Sequence, residues 1–274
     1  MLIAAWLNGS PVAGMPVDDR GFAYGDGHFT TLPVRGGEPV LLDYHWRRLL
    51  LSSQSLNIPV AGMDRWRQDF ARFVAAHPDG IAKIIITRGA GGRGYLPDVQ
   101  QLPNCYFLLW TEVPHSSGNQ AGIESGILQG RLGLNPLTAG HKHLNRLEQV
   151  LLRQELALTP WPEAVVCDLE GRVIEGVFSN LFAVQAGRLL TPALSAAGVR
   201  GVMRSFLMDS AGDLQHTVLE TGLQTDDLDQ ADELFFCNSV FGIWPVIRFN
   251  GRIMPPNPVT QRLQQHLKNA RITA

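Results

Sequence analysis

The stretch around which the chain is organised is residues 140–150, which read Gly140-His141-Lys142-His143-Leu144-Asn145-Arg146-Leu147-Glu148-Gln149-Val150. Lysine is scarce, because the chain has 20 arginines but only three lysines, Lys83, Lys142 and Lys268. Lys142 precedes leucines at helical spacing that continue until Pro160. Desolvation and two neighbouring histidines can leave such a lysine as a neutral nucleophile. It can also be a solvated lysine at a helix start, which the local sequence alone favours.

Composition sets the outer limits on the class of protein. The chain has 274 residues, of which 45% are hydrophobic and 18% are charged, so a large core and two domains are expected. A net charge of −2 provides no general basic field, which argues against nucleic acid or an anionic membrane as the main partner. The apolar runs are too short for a membrane span.

The cysteines indicate the compartment. Cys105, Cys167 and Cys237 are odd in number, widely spaced and embedded in apolar runs that resemble strands. This pattern predicts buried free thiols in a reducing compartment. The N-terminus lacks the pattern of a signal peptide, so a cytoplasmic location is expected. No Cys/His grouping has zinc spacing, and His141 and His143 are interpreted as structural rather than as metal ligands.

The order of elements predicts an α+β fold in two parts. An N-terminal α+β domain at 1–113 and a C-terminal domain at 123–274 are expected, joined by a linker at 114–122 that is poor in apolar residues. The first domain is expected to contain strands at 2–7, 29–35, 40–42, 82–87 and 105–111 and helices at 43–56 and 63–76. The second is expected to contain strands at 123–129, 216–220, 233–238 and 243–249, a β-rich segment at 164–192, and helices after Lys142 and at 202–210 and 258–268.

Three further segments could carry chemistry. The turn at 198–204 leads directly into a helix, whose first amides could bind phosphate or could simply be an ordinary helix entry. Glu175 lies in an apolar strand, so it either faces solvent or pairs with a buried cation. The loop at 88–95 fits a G-x-G-x-x-G pattern, but Pro97 follows where a dinucleotide fold needs its helix. A flexible loop with two arginines, Arg88 and Arg93, suits an anionic substrate better.

Taken together, these segments resemble the fold-type IV pyridoxal-phosphate enzymes, which include branched-chain and D-amino-acid aminotransferases and 4-amino-4-deoxychorismate lyases. The motifs that carry the resemblance run in order along the chain: Asp26-Gly27 with Phe29-Thr30-Thr31, His45-x-x-Arg48-Leu49, Lys142-His143-Leu144-Asn145, Glu175-x-x-x-x-Asn180-Leu181-Phe182 and Gly201-Val202-Met203-Arg204. The resemblance implies a β-barrel-like C-terminal domain, pyridoxal 5'-phosphate (PLP) as cofactor and a homodimer.

The resemblance also assigns cofactor roles to individual residues. Lys142 matches the Schiff-base lysine, which reverses the interpretation that its local sequence favours. Glu175 matches the acid that pairs with the pyridine nitrogen and keeps the ring an electron sink. The remaining cofactor contacts that the family motifs imply are Arg48, the amides of Val202 and Met203, Ser239 and Asn180.

Within the family, the details favour the lyases. Aminotransferases usually carry Phe/Tyr-Glu where this chain has Phe29-Thr30, and Gly-Ile-Thr-Arg at 201–204, whereas the lyases resemble this chain at both places. The implied activity is release of pyruvate to form 4-aminobenzoate on the route to folate, and the implied substrate contacts are Arg93, Tyr95 and Thr30. The alternatives are an aminotransferase for D-amino or branched-chain amino acids, which Thr30, Met203 and the Arg93 loop disfavour, and a non-catalytic cofactor-binding or scaffold protein.

Overall fold

The computed structural model describes residues 1–98, 100–111, 117–212, 216–255 and 257–273. It divides into two compact units, of which one comprises Met1–Val113 and His141–Asn145 and the other Pro114–Gly140 and Arg146–Ala274. The five residues around Lys142 therefore group with the N-terminal unit, although the sequence placed them in the C-terminal domain. Of the linker expected at 114–122, residues 114–116 lie outside the described residues, and Ser117–Gln120 form a 3₁₀ helix.

The first unit is an antiparallel sheet with helices against one face. Its described residues form β1 (Leu2–Leu7), β2 (Ser10–Pro11), α1 (Arg20–Tyr24), β3 (Gly27–Arg35), β4 (Glu38–Pro39), α2 (Leu42–Ser55), α3 (Met63–Ala76), β5 (Gly80–Thr87) and β6 (Asn104–Trp110). The strand order in the sheet is β2-β1-β6-β5-β3-β4. The predicted strands at 2–7, 29–35, 82–87 and 105–111 and both predicted helices are present, with ends shifted by at most a few residues. The strand predicted at 40–42 is wrong: the strand that pairs with β3 is Glu38–Pro39, residues 40 and 41 form a turn, and Leu42 already begins α2.

Strand alternation gives this sheet two different faces. On β5, Ala82, Ile84 and Ile86 have no exposed surface and pack in one core with residues of α2 and α3. Side chains point to opposite faces at successive positions of a strand, so Lys83 and its β3 neighbour Phe29 lie on the other face, where both are half-buried. The core face stabilises the unit, and the second face is available for chemistry.

Helix α1 lies in a segment that the sequence analysis did not predict to be helical. The carboxylate of Asp19 accepts a hydrogen bond from the Gly21 amide at the start of the helix, and Gly25 ends the helix at φ 63°. An aspartate that caps the first turn is a standard signal for the start of a helix. A glycine at positive φ is a standard signal for its end, because glycine adopts that conformation at low cost. A helix of five residues is too short for apolar periodicity to reveal it.

The second unit is richer in strands. Its described residues form β7 (Ile123–Ser125), β8 (Ile127–Leu132), α4 (Leu147–Leu156), β9 (Val165–Asp168), β10 (Val173–Gly176), β11 (Asn180–Gln185), β12 (Arg188–Pro192), α5 (Val202–Ser210), β13 (Val218–Thr221), α6 (Thr225–Asp229), β14 (Glu233–Asn238), β15 (Gly242–Phe249), β16 (Arg252–Ile253) and α7 (Pro258–Asn269). Helix α4 begins five residues after Lys142, because residues 141–146 are not helical.

Two sheets of the second unit share one core. A three-stranded sheet has the order β10-β9-β8, and a seven-stranded sheet contains β13-β12-β11-β14-β15-β16 with β7 paired to β15. Val165 and Val173 from the first sheet pack in one cluster with Leu181, Phe236 and Val246 from the second. The α+β class predicted from the sequence is confirmed. In the described part of the chain, no helix is both long and apolar enough to cross a membrane.

All three cysteines are free and buried, as predicted. Burial raises the pKa of the Cys105, Cys167 and Cys237 thiols, because a thiolate is disfavoured away from water. These cysteines therefore behave as small apolar residues of the core.

Candidate active site

Lys142 is positioned by main-chain hydrogen bonds to strand β3. The Phe29 amide donates to the Lys142 carbonyl at 2.9 Å, and the Leu144 amide donates to the Gly27 carbonyl at 3.0 Å. His143 forms an antiparallel bridge with His28. The Lys142 amine lies 5.0 Å from the centre of the Phe29 ring. The backbone that carries this amine is thus held like a short additional strand, which limits where the side chain can reach.

The chain is also anchored immediately before Lys142, within the second unit. The Gly140 amide donates to the Gly198 carbonyl at 2.9 Å, and the Arg200 amide donates to the Gly140 carbonyl at 3.0 Å. Gly140 has φ 81°, a conformation that side chains other than that of glycine rarely allow. Gly140 is thus held by main-chain hydrogen bonds within the second unit, whereas Lys142 itself is held within the first.

Glu175 is buried, which settles one alternative left open by the sequence. Its side chain on β10 is only 5% exposed, and its carboxylate accepts a hydrogen bond from the Val199 amide at 2.8 Å. Burial lowers the pKa of the Arg146 guanidinium, and the negative charges of Glu175 and Glu148 partly oppose that shift. Glu175 is therefore an interior acid that stabilises positive charge nearby, rather than a solvated strand residue.

The turn before α5 requires glycine at position 201. A Cβ atom there would lie 1.9 Å from the Oδ1 atom of Asn180, whose Nδ2 atom donates to the Val199 carbonyl at 2.8 Å. In the described structure no side chain caps α5, so the amides of its first turn, which include Val202 and Met203, are the donors available at this end. Asn180 thus shapes the backbone that presents these amides.

Arg204 anchors α5 from within, a role that its motif did not reveal. Its side chain is only 2% exposed, forms an ion pair with Glu220 at 3.0 Å, and donates to Thr191 and to the Pro192 carbonyl.

Ser239 lies in the turn directly after β14. The preceding Asn238 side chain accepts from the amides at 240 and 241, which fixes that turn.

Arg48 lies in a buried polar cluster of the first unit. Burial lowers the pKa of its guanidinium to about 10, because the charged form is poorly solvated. Arg48 donates to the Thr30 hydroxyl at 3.3 Å, and that hydroxyl is hydrogen-bonded to His45 Nδ1 at 2.5 Å. Thr30 has no exposed surface. The structure thus places Thr30, predicted as a substrate contact, where it positions Arg48.

The histidines of this cluster are neutral. Burial, followed by the charges of His141 and Arg48, lowers the pKa of His28 to about 3, and burial lowers the pKa of His45 well below its usual range. His28 is hydrogen-bonded to Ser53 at 2.8 Å. Because the His28 and His45 rings are neutral, Arg48 carries the positive charge among these three side chains. This charge suits Arg48 to bind an anionic group.

The loop at 88–95 contains one structural arginine and one exposed arginine. Arg88 forms an ion pair with Asp26 at 2.8 Å and donates to the carbonyls of residues 56 and 57, so it is not available to a substrate as the sequence analysis expected. Arg93 and Tyr95 are exposed, and the Tyr95 ring meets Tyr24 edge to face at 5.7 Å.

Arg20 holds this loop, although the sequence analysis did not identify it. Its side chain is 3% exposed, pairs with Asp26 at 2.8 Å and donates to the carbonyls of Gly94 and Tyr95. In the sequence, Arg20 and Asp26 lie in one short segment, but this proximity does not reveal that Arg20 and Arg88 both pair with Asp26.

Comparison with known proteins agrees with this arrangement. The profile of the family described as amino-transferase class IV matches residues 27–249. An aminodeoxychorismate lyase from Vibrio harveyi is 34% identical, with 96% of this chain and 98% of the relative covered. The crystal structure of a 4-amino-4-deoxychorismate lyase from Pseudomonas aeruginosa superimposes with a TM-score of 0.93 at 41% identity, covering 97% of this chain and 98% of that one.

A more distant structure shares the fold. It is the PLP-bound form of a hypothetical aminotransferase from Mycobacterium tuberculosis, with a TM-score of 0.82 at 23% identity, covering 98% of each chain. The match of the family profile over most of the sequence, together with relatives above 30% identity over nearly the whole length, identifies the family. This protein belongs to the class IV amino-transferase family, the fold-type IV enzymes.

Proposed function

We propose that this protein is a PLP-dependent lyase that converts 4-amino-4-deoxychorismate to 4-aminobenzoate and pyruvate, a step of folate biosynthesis. The observation that carries the proposal is the 34% and 41% identity to two proteins named for this activity, each covered over 98% of its length. These matches cover 96% and 97% of this chain, so they extend over both units. Fold alone would not suffice, because one fold hosts several reactions.

The side chains that would hold PLP fit its chemistry. Its phosphate would need donors, and each unit offers some: the half-buried Arg48 guanidinium in the first unit, and the uncapped first turn of α5 and the Ser239 hydroxyl in the second. The pyridine nitrogen needs an acid, which the buried carboxylate of Glu175 supplies. PLP, when bound, provides a ring that accepts the electron pair released from the substrate. Asn180 supports this set by shaping the turn at 198–201.

In this proposal Lys142 has two roles. Its amine binds the cofactor covalently and, once displaced by the substrate amine, removes a proton from the substrate carbon that bears the nitrogen. The enolpyruvyl oxygen then leaves from the adjacent carbon, and the substrate ring becomes aromatic. One proton is removed from the ring, and one is gained when the released enol becomes pyruvate, so the reaction needs neither an oxidant nor a second substrate.

The substrate carries two carboxylates, which require cationic or polar partners. Arg93 is exposed in the 88–95 loop, and Tyr95 stands beside it, so both are proposed as substrate contacts. Thr30 is proposed to act through Arg48 and His45, whose side chains it contacts. Arg20 is a positioning residue, because it fixes the carbonyls of the loop that carries Arg93.

We also propose a cytoplasmic homodimer. Helix α4 exposes an apolar stripe, since Leu147, Val150 and Leu151 are 70%, 51% and 56% exposed. An apolar helix face of this kind favours burial against another chain. The three buried free thiols favour a reducing compartment. Sedimentation of the wild type and of Leu151→Glu tests the assembly, and a monomeric wild type at micromolar concentration would reject it.

The activity is tested by mixing the purified, PLP-loaded protein with 4-amino-4-deoxychorismate in the absence of a keto acid. We expect equal amounts of 4-aminobenzoate and pyruvate over many turnovers. The aminotransferase alternative is tested in parallel with D-alanine, L-leucine or L-glutamate and a keto-acid acceptor. Rapid amino-group transfer without any 4-aminobenzoate from the lyase substrate would assign the protein to the other branch.

A further inference from the structure

Glu163 is a buried acid that lies two residues before β9, in the second unit. Its side chain has no exposed surface. Its carboxylate accepts hydrogen bonds from four donors, which are the amides of Ala164 and Val177 at 2.9 Å each, the Phe178 amide at 3.3 Å and the Ser179 hydroxyl at 2.7 Å. Three of these donors belong to the turn between β10 and β11, so Glu163 holds this turn from a different part of the chain.

A carboxylate suits this position because each of its two oxygens accepts from two donors. Burial raises the pKa of Glu163 to about 7, and the hydrogen bonds oppose that shift, because they favour the charged form. A glutamine would place an NH₂ group, which cannot accept, opposite two of the four donors. The contacts of the turn with Glu163 therefore require an acid rather than an amide.

The turn that Glu163 holds separates two candidate cofactor residues. Glu175 lies on β10, and Asn180 is the first residue of β11. The Gly176 amide donates to the Ser179 carbonyl at 2.8 Å, which closes the turn between them. A Cβ atom on Gly176 would lie 2.3 Å from the Ser179 hydroxyl oxygen, so the turn is closely packed. Its conformation thus sets the separation of Glu175 from Asn180.

These two candidate residues hold Val199 by both of its backbone groups. The Glu175 carboxylate accepts from the Val199 amide at 2.8 Å, and the Asn180 side chain donates to the Val199 carbonyl at 2.8 Å. Val199 lies two residues before Gly201, which begins α5. Both hydrogen bonds form only when Glu175 and Asn180 are correctly spaced, so the turn that Glu163 holds also affects the start of α5.

We infer that Glu163 is a positioning residue of the cofactor site and acts through Glu175 and Asn180. Its own carboxylate is occupied by four donors of the protein, so its effect on PLP is indirect. When these contacts are lost, the turn widens, and both the acid proposed for the pyridine nitrogen and the amides proposed for the phosphate shift. The inference rests on the cofactor roles proposed for Glu175 and Asn180, and it is independent of which reaction the protein catalyses.

The test compares PLP binding by the wild type, Glu163→Gln and Glu233→Gln at pH 8, where the Glu163 carboxylate is charged. Glu233 is a matched control because it is also buried and accepts from two amides and one hydroxyl. Those donors belong to the start of α7, and Glu233 lies at the opposite end of β14 from Ser239. Fluorescence titration of the protein freed of PLP gives the dissociation constant. The visible absorbance spectrum is recorded at saturating PLP.

We expect Glu163→Gln to bind PLP about 10-fold to 100-fold more weakly, the effect of displaced hydrogen-bond donors. At saturating PLP its absorbance spectrum should shift in the same direction as that of Glu175→Gln. Glu233→Gln should lower the urea midpoint but retain the wild-type affinity and spectrum. In an Asn180→Ala background, Glu163→Gln should weaken binding less than it does in the wild type, because part of its effect passes through Asn180.

Wild-type affinity and spectrum in Glu163→Gln would overturn the inference, as would an equal loss in Glu233→Gln or full additivity with Asn180→Ala. If Glu163→Gln does not fold, Ser179→Ala takes its place, because it removes a single contact of Glu163. Ser179→Ala should weaken PLP binding about 3-fold to 10-fold, and unchanged binding would equally overturn the inference. Formation of 4-aminobenzoate by the wild type tests the proposed reaction separately, because none of these measurements uses the substrate.

Discussion

The candidate residues of the first unit are cationic side chains, whereas those of the second are a carboxylate and main-chain amides. Lys142 and Arg48 belong to the first unit, and Glu175 and the start of α5 belong to the second. The cations are placed by strand pairing and by hydroxyl and imidazole contacts. The acid and the amides are placed by a turn at 198–201 in which backbone atoms make most of the contacts.

This difference determines which substitutions are harmful. A cation on a long side chain can be removed with little change to the surrounding backbone, so its loss should affect chemistry more than stability. A turn held by close contacts cannot accept an added atom, so a single methyl group should affect binding. Substitutions at both kinds of position test that contrast.

Lys142→Ala should lower turnover by about 10⁴-fold, the upper end of the range for loss of a positioned base, because the base that removes the proton is lost. It should also lose the visible absorbance of the covalently bound cofactor while retaining wild-type circular dichroism. The control is Lys268→Ala, which removes an exposed lysine and should leave both properties unchanged. Retained cofactor absorbance in Lys142→Ala would point to Lys83 as the reacting amine.

Glu175→Gln should lower turnover by about 10²–10³-fold, in the range seen when one electrostatic group of an active site is removed. The amide oxygen of glutamine can still accept from Val199, so the fold and the bound cofactor should persist. Single-turnover kinetics separate this chemical effect from binding. The matched control is Glu170→Gln, an exposed acid of the turn between β9 and β10. Equal rates for the two variants would make Glu175 a structural residue.

Gly201→Ala should weaken PLP binding by about 10-fold to 100-fold, as expected from displaced hydrogen-bond donors. The added Cβ would lie 1.9 Å from Asn180 Oδ1, so the turn must shift. Gly212→Ala, just beyond the end of the same helix, meets no atom within 4 Å and should bind normally. In an Asn180→Ala background, Gly201→Ala should weaken PLP binding little further, because both substitutions act on the contact between positions 201 and 180. Full additivity in fluorescence titrations with PLP would contradict this explanation.

His28→Gln should have the smallest effect at neutral pH, where activity and stability should stay close to those of the wild type, and should change the dependence of stability on acid. The folded-state pKa of His28 is about 3, below the ordinary 6.5, so its stabilising contribution is complete above pH 6.5 and is lost as the pH falls toward 3. The wild type should lose up to about 1.4 kcal/mol per pH unit across this window through His28, and the variant should not. Urea midpoints measured across the window test this, with His216→Gln as the control. If the urea midpoints of His28→Gln and the wild type fell in parallel as the pH is lowered, the pKa of His28 would not be lowered by folding.

Much of the fold could be predicted because it depends on local periodicity. Helix α3 was predicted at 63–76 and is present at Met63–Ala76, since its apolar residues repeat at helical spacing and pack on the sheet. Strand β14 was likewise predicted with its observed bounds. Helix α1 was missed, because its signals are an aspartate cap and a terminal glycine within a single turn.

By itself, the sequence determined the identity of the candidate reacting groups. Lysine is so rare in this chain that Lys142 could be selected from three residues and supported by its motif. Glu175 was visible as an acid in an apolar strand, and the sequence left open whether it was exposed. Its burial followed only from the folding of β10 with the turn at 198–201.

Only the tertiary structure distinguished residues of the same type. Arg88 and Arg93 lie in one loop with similar sequence surroundings, yet the first is paired with Asp26 and the second is exposed. Likewise, Thr30 is turned toward Arg48, whereas Lys83 is turned toward Phe29. Local sequence specifies the charge that a side chain carries. Its partner is set by strand register and by contacts between residues far apart in the chain, which no local pattern contains.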